Sequence, residues 1–168
     1  MQRRIAMTKV REEPGPTTDK LIVFDDDPYF GALISATARQ FNFSAHYFQS
    51  LYAMGSFARI RNYDIAIIDV FMDSIRGDEL ATYIDMFCAD IPVILVSGER
   101  FDHQDRRTVW PPSVRAFIPK AAGAHQILGA AKATLNRDRM LRRLAAGEPY
   151  VNHLGITDLG QLAPAGIV

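Results

Sequence analysis

The side chains of this sequence best suited to chemistry stand at the ends of apolar runs. In 21-LIVFDDDPYF-30 four apolar residues lead into Asp25, Asp26 and Asp27, and 65-IAIIDVFM-72 carries Asp69 at the close of its run. Likewise 93-VILVSG-98 closes on Ser97 and 116-AFIPK-120 on Lys120. Each has an ordinary explanation alone: Asp27 before Pro28 suits a helix N-cap, Ser97 before Gly98 a turn, and Lys120 a solvated surface. Together they ask for more. Carboxylates brought side by side raise one another's pKa and work against folding unless a cation neutralises them. If the fold gathers Asp25, Asp26 and Asp69, a hard oxygen-binding ion such as Mg²⁺ is the natural answer. It takes one or two carboxylates, keeps several waters and accepts a phosphate oxygen.

The elements that must gather them can be read from periodicity. Short β-rich runs, LIVF (21–24), AHYF (45–48), IAIID (65–69), PVILVS (92–97) and VRAFI (114–118), alternate with longer helical patterns. Five strands with four intervening helical segments predict an open parallel sheet covered on both faces. In such sheets ligands bind outside the carboxyl ends of the strands, where these polar residues stand. The first helix is predicted over 29–40, with Pro28 in its opening turn and Phe30, Leu33, Ile34 and Thr37 on one face. A second is predicted over 51–61, interrupted by Gly55, and a third over 78–87 with Leu80, Ile84 and Phe87 at helical spacing. The polar stretch FDHQDRRTVWPP ends in Pro111-Pro112 and predicts a short or irregular fourth helix. The last helix, 124–145, is long and amphipathic, with Ile127, Leu128, Ala131, Leu135, Leu141 and Leu144 apolar.

At 168 residues and 48% hydrophobic content, the chain suits one domain with tails. Residues 1–19 read as a mostly disordered leader, 20–145 as the folded region, and 146–168 as a Gly- and Pro-punctuated tail with no recognisable output module. Lys and Arg number 19, as do Asp and Glu, so no overall charge calls for a polyanion. Positive charge gathers only at the end of the last helix, at Lys132, Arg137, Arg139, Arg142 and Arg143, which reads as a solvated face complementing the helix dipole. That argues against nucleic acid as a partner. The single cysteine, Cys88, excludes an internal disulfide and reads as a packed core thiol. With no apolar run of membrane-spanning length and no signal-peptide segment, the expected location is the cytoplasm.

Taken in order, these motifs resemble the receiver domain of two-component response regulators over roughly 20–145: an acidic pair after strand one (Asp25, Asp26), Asp69 closing strand three, Gly77 after the next loop, Ser97 closing strand four and Lys120 closing strand five. The resemblance implies an α/β fold of the flavodoxin-like (CheY-like) kind, a doubly wound five-stranded parallel sheet of order 2-1-3-4-5 with helices on both faces. It also implies that Asp69 is the phosphoacceptor for a histidine kinase or phosphotransfer protein. Mg²⁺ would be ligated by Asp26, Asp69 and the backbone carbonyl of Phe71, with Asp25 acting through water, while Lys120 pairs with the phosphoryl oxygens. Ser97 and Phe117 would form the switch that signals to a downstream protein, although Phe117 reads equally as a core aromatic. The chain would catalyse only its own phosphorylation and dephosphorylation, and its last helix could pair with a second copy.

The sequence departs from the pattern at several positions. Its proline precedes the lysine, in Pro119-Lys120-Ala121, and the bulky Phe71 stands where water would approach the phosphoryl group, which points to slow hydrolysis. Asp73 adds another acid nearby. Two other readings remain: a phosphorylation-independent interaction module on the same fold, and a phosphohydrolase of the haloacid dehalogenase type built on Asp25 and Asp27. The second needs a further acidic pair after the lysine, and it leaves Asp69 unexplained.

Overall fold

The computed structural model describes residues 18–73, 75–88, 91–98 and 110–147. Five parallel strands, β1 (Asp19–Phe24), β2 (Phe43–Phe48), β3 (Ile65–Asp69), β4 (Val93–Ser97) and β5 (Val114–Pro119), form one sheet of order β2-β1-β3-β4-β5. The helices are α1 (Pro28–Ala38), α2 (Gly77–Phe87) and α3 (Ala124–Ala145). This is the flavodoxin-like arrangement that the resemblance implies. In the central strands β3 and β4 every residue is buried, because helices lie on both faces. That explains why they read as unbroken apolar runs rather than alternating ones. Successive side chains still divide between the faces. Leu21 and Val23 pack with Ile34 of α1 and Ile127 and Leu128 of α3. Ile22 and Phe24 pack with Leu80 and Ile84 of α2.

The structure corrects the second predicted helix. Residues 51–61 form no α-helix but two short 3-10 segments, Tyr52–Met54 and Phe57–Asn62, broken at Gly55, whose φ is 80°. A left-handed residue ends a helix, and glycine takes that conformation without steric cost. Each segment buries one anchor, Met54 and Ile60, on the α2 side of the sheet. The start of β2 also moves forward to Phe43, which is itself buried. Most of the predicted fourth helix, and nearly all of the leader and tail, lie outside the described residues. Among the described residues no helix is long and apolar enough to cross a membrane. Cys88 is buried at the end of α2, as expected of a core thiol.

Asp19, assigned to the leader from sequence, belongs to β1 and is 2% exposed. Its carboxylate accepts from Lys132 Nζ at 2.5 Å and Arg139 Nη1 at 2.6 Å, both on α3. Arg139 also reaches Asp64, 3.0 Å away. Two cations read as part of a solvated helix face therefore turn inward and tie α3 to the first strand. Burial pushes the Asp19 carboxyl up, but the hydrogen bonds from Lys132 and Arg139 outweigh it and leave its pKa lowered. At the β5 side of the sheet, the register between β4 and β5 slips between Val93 and Ile94. On β5 the slip skips Arg115, whose guanidinium pairs with the buried Asp138 at 3.1 Å.

Candidate functional site

Strand ends converge as the topology requires. Asp25 follows β1, Asp69 ends β3, Ser97 ends β4 and Lys120 follows β5. The Lys120 ammonium sits between two carboxylates, 2.7 Å from Asp25 Oδ2 and 2.8 Å from Asp69 Oδ2. It donates hydrogen bonds to Asp25 Oδ1 at 2.9 Å and to Asp69 Oδ2. The inverted Pro119-Lys120 order thus still delivers the lysine, from the start of a 3-10 turn, Lys120–Ala122. No cis peptide bond occurs among the described residues.

The three consecutive acids divide their work. Asp25 is fully buried, and its Oδ1 accepts the backbone N–H of Asp27 at 2.9 Å. Asp27 caps α1 by accepting the Tyr29 N–H at 2.9 Å, as its position before Pro28 predicts. Asp26, half-buried, joins Asp25 and Asp69 in a group in which one carboxylate oxygen of each lies within 4.8 Å of the others. Asp73 is exposed and not part of that group, so it adds no acid to it.

Electrostatics follow from burial. Desolvation pushes the Asp25 carboxyl above its usual range, and the hydrogen bond from Lys120 offsets only part of that. For Lys120 the balance is opposite. Burial pulls the ammonium down, but hydrogen bonds to Asp25 and Asp69 outweigh it and hold its pKa above the ordinary lysine value. The donor set fits Mg²⁺. Oxygens at opposite corners of its octahedron stand ~4.2 Å apart, given Mg–O distances of about 2.1 Å. One oxygen from each of the three carboxylates lies within 4.8 Å of the others, so all three face one small space. Asp25 Oδ2 is moreover buried, with the Lys120 ammonium 2.7 Å away.

Gly77 and the loop before it shape the far side of the site. The Gly77 N–H donates to the Val70 carbonyl at 3.0 Å, and a Cβ added to Gly77 would stand 2.2 Å from the Asp69 carbonyl oxygen. Only glycine lets α2 begin so close to the Asp69 backbone. The Phe71 N–H donates to Asp69 Oδ1 at 3.2 Å, while Phe71 is 40% exposed. Arg76, not singled out by sequence, lies 5.4 Å over that ring and pairs with Asp78 at 3.0 Å. An antiparallel bridge between Phe71 and Arg76 folds the loop back on itself. No periodic pattern marks such a contact in a loop, so sequence carries no signal for it. Ser97 is buried, and Phe117 is partly buried against the α2-side core. Asp138, the acid beyond the lysine, is engaged by Arg115 on a different part of the fold.

Comparison with known proteins agrees with this fold. No curated protein matches the chain by sequence. Solved structures do match in fold. A receiver domain of an HD domain-containing protein from Pseudomonas fluorescens Pf-5 superposes with a TM-score of 0.66 at 12% identity, covering 80% of this chain and 98% of that one. A CheY-like response regulator receiver domain protein from Methanospirillum hungatei JF-1 gives 0.63 at 16%, covering 73% and 97%. One from Clostridium thermocellum gives 0.63 at 19%, covering 73% and 98%. At these identities the likeness establishes the fold. Residues 21–132, which run from within β1 through β5 and hold the acidic cluster, match the family described as the response regulator receiver domain, and the chain belongs to it.

Proposed function

We propose that this receiver domain accepts a phosphoryl group on Asp69 from a histidine kinase or phosphotransfer protein, with Mg²⁺ as cofactor, and passes the signal to a protein partner by changing conformation. The observation that carries this reading is the Lys120 ammonium, held between Asp25 and Asp69 at 2.7 and 2.8 Å beside a cluster of three carboxylates. That is a cation already in place where phosphoryl charge would arrive.

Asp26, Asp69 and the Phe71 backbone carbonyl would hold the metal, with Asp25 acting through a bound water. When bound, Mg²⁺ supplies positive charge to the phosphoryl oxygens. An Asp69 carboxylate oxygen attacks phosphorus, forming an O–P bond as the P–N bond to the donor's histidine breaks. The departing imidazole takes up a proton from solvent. Lys120 exchanges its contact with the Asp69 carboxylate for the phosphoryl oxygens. Ser97 then donates its hydroxyl hydrogen to a phosphoryl oxygen, and Phe117 turns into the space left behind, remodelling the face of β4 and β5. The Phe71 ring shields the ester from water. The chain turns over no separate substrate, and its expected setting is the cytoplasm.

Intact-mass analysis after incubation with Mg²⁺ and acetyl phosphate tests the reading. The expected result is a Mg²⁺-dependent gain of one phosphoryl group that is absent from Asp69→Asn. No gain with either acetyl phosphate or a phosphorylated histidine donor, in folded protein, would leave a phosphorylation-independent docking module.

A further inference from the structure

The Lys120 ammonium has a third neighbour besides its two carboxylates. It stands 4.8 Å from the centroid of the Phe30 ring. Phe30 lies in the first turn of α1, just past the Asp27 cap, and is 7% exposed, packed with the α1 and α3 side of the core. The lysine side chain is 16% exposed, and its Cδ runs 4.0 Å from where a Cβ on Gly98 would stand. An ammonium within about 6 Å of an aromatic face is attracted by the ring quadrupole, most strongly when water is excluded. A leucine of similar bulk would fill the space and offer the cation nothing.

We propose that Phe30 is a positioning residue of the acidic centre, its ring face holding the Lys120 ammonium against Asp25 and Asp69. This rests on the receiver reading above. Lysine is a point charge on a flexible four-carbon stem, without the fixed fork of arginine. Two carboxylates constrain it only while both are charged and unmodified. Once Asp69 is esterified, one of those partners is replaced by a phosphoryl group. The ring then keeps the ammonium inside the site, within reach of the incoming oxygens, rather than swinging into solvent. Orientation of this kind acts on rate, because the cation need not be recruited during transfer.

The test compares phosphoryl uptake from acetyl phosphate with Mg²⁺ by intact mass in the wild type, Phe30→Tyr, Phe30→Leu and Phe30→Met, each also on a Lys120→Met background. Removing the ring should slow uptake by about fivefold to tenfold, the rate equivalent of one partly desolvated cation–π contact. Phe30→Tyr should stay within about twofold of wild type, since its ring keeps the quadrupole. On the Lys120→Met background the three substitutions should no longer differ. A second readout needs no phosphorylation: the Lys120 ε-methylene protons should be shifted upfield by the ring in the wild type and return toward ordinary lysine values in Phe30→Leu and Phe30→Met. A purely structural role predicts instead that Tyr, Leu and Met differ only as far as they unfold the protein, and that the losses persist without Lys120. Either result overturns the proposal, as would Lys120 proton shifts that ignore the loss of the ring. If the wild type shows the ring shift yet takes up no phosphoryl group from any donor, the phosphoacceptor reading falls and takes this role with it. If the wild type is phosphorylated and Phe30→Leu is as fast, this proposal falls alone.

Discussion

Gly77→Ala is the sharpest test of how the fold supports Asp69. The added methyl would meet the Asp69 carbonyl oxygen at 2.2 Å, the Asp69 carbonyl carbon at 2.9 Å and the Val70 Cα at 3.0 Å. All three are backbone atoms, so no rotamer change relieves the contact. A close carbon–oxygen contact is about 3.3 Å, so the start of α2 and the end of β3 must part by ~1 Å. Overpacking of this kind costs about 1–3 kcal/mol, against a gain in helix propensity of at most ~1 kcal/mol for replacing glycine. Urea unfolding should therefore show a net loss of about 1–2 kcal/mol at unchanged m-value. The functional cost should be larger in proportion, because the displaced backbone carries Asp69, the proposed phosphoacceptor. A reacting group misplaced by ~1 Å can lose up to about a hundredfold in rate, to be read as phosphoryl uptake from acetyl phosphate. Gly129→Ala is the control. It lies inside α3, where the nearest atom to a new Cβ is a Phe41 side-chain carbon at 3.6 Å, so the same change should stabilise by up to ~1 kcal/mol and leave uptake alone. Wild-type stability and wild-type uptake in Gly77→Ala would refute the argument that this glycine is there for close approach.

Asp19→Asn should destabilise the domain by about 1–3 kcal/mol, since a buried carboxylate loses charge-assisted bonds to two cations that are themselves partly solvated. The folded pKa of Asp19 is lowered, so its contribution is fully present above the unfolded carboxylate value near 3.9 and disappears as pH falls through the folded value. Unfolding free energies measured from pH 7 downward should show the gap between wild type and variant intact to about pH 4 and closing below it; a gap that widens in acid contradicts the assignment. Phe71→Asn should shorten the life of the aspartyl phosphate by about fivefold, equivalent to ~1 kcal/mol of barrier, by giving water a polar approach beside Asp69. Loss of the phosphoryl mass over time measures this, and a lifetime as long as that of wild type would remove Phe71 from the role of shield.

The legible part of the chain was the part governed by local pattern. Buried strands such as 65–69 and 93–97 announce themselves as apolar runs, and the polar residues closing them necessarily share one rim of a parallel sheet. Asp27 could be assigned as a cap from Pro28 alone, because N-capping is a matter of adjacent residues. The illegible parts failed for identifiable reasons. Residues 51–61 have enough apolar spacing to imitate a helix, yet one left-handed glycine divides them into two 3-10 segments. Lys132 and Arg139 look like a solvated basic face until β1 presents Asp19 to them, 113 and 120 residues away in the chain.

What the sequence determined by itself is therefore the order of elements, the strand ends and the residue types delivered there. These depend on periodicity and nearest neighbours, which a linear chain displays in full. How those residues meet is set by the assembled fold: Lys120 between Asp25 and Asp69 with the Phe30 ring beside it, Gly77 against the Asp69 backbone, and Arg76 over Phe71. Contacts between distant segments depend on helix placement to within an ångström, and close packing fixes that placement only once every layer is assembled.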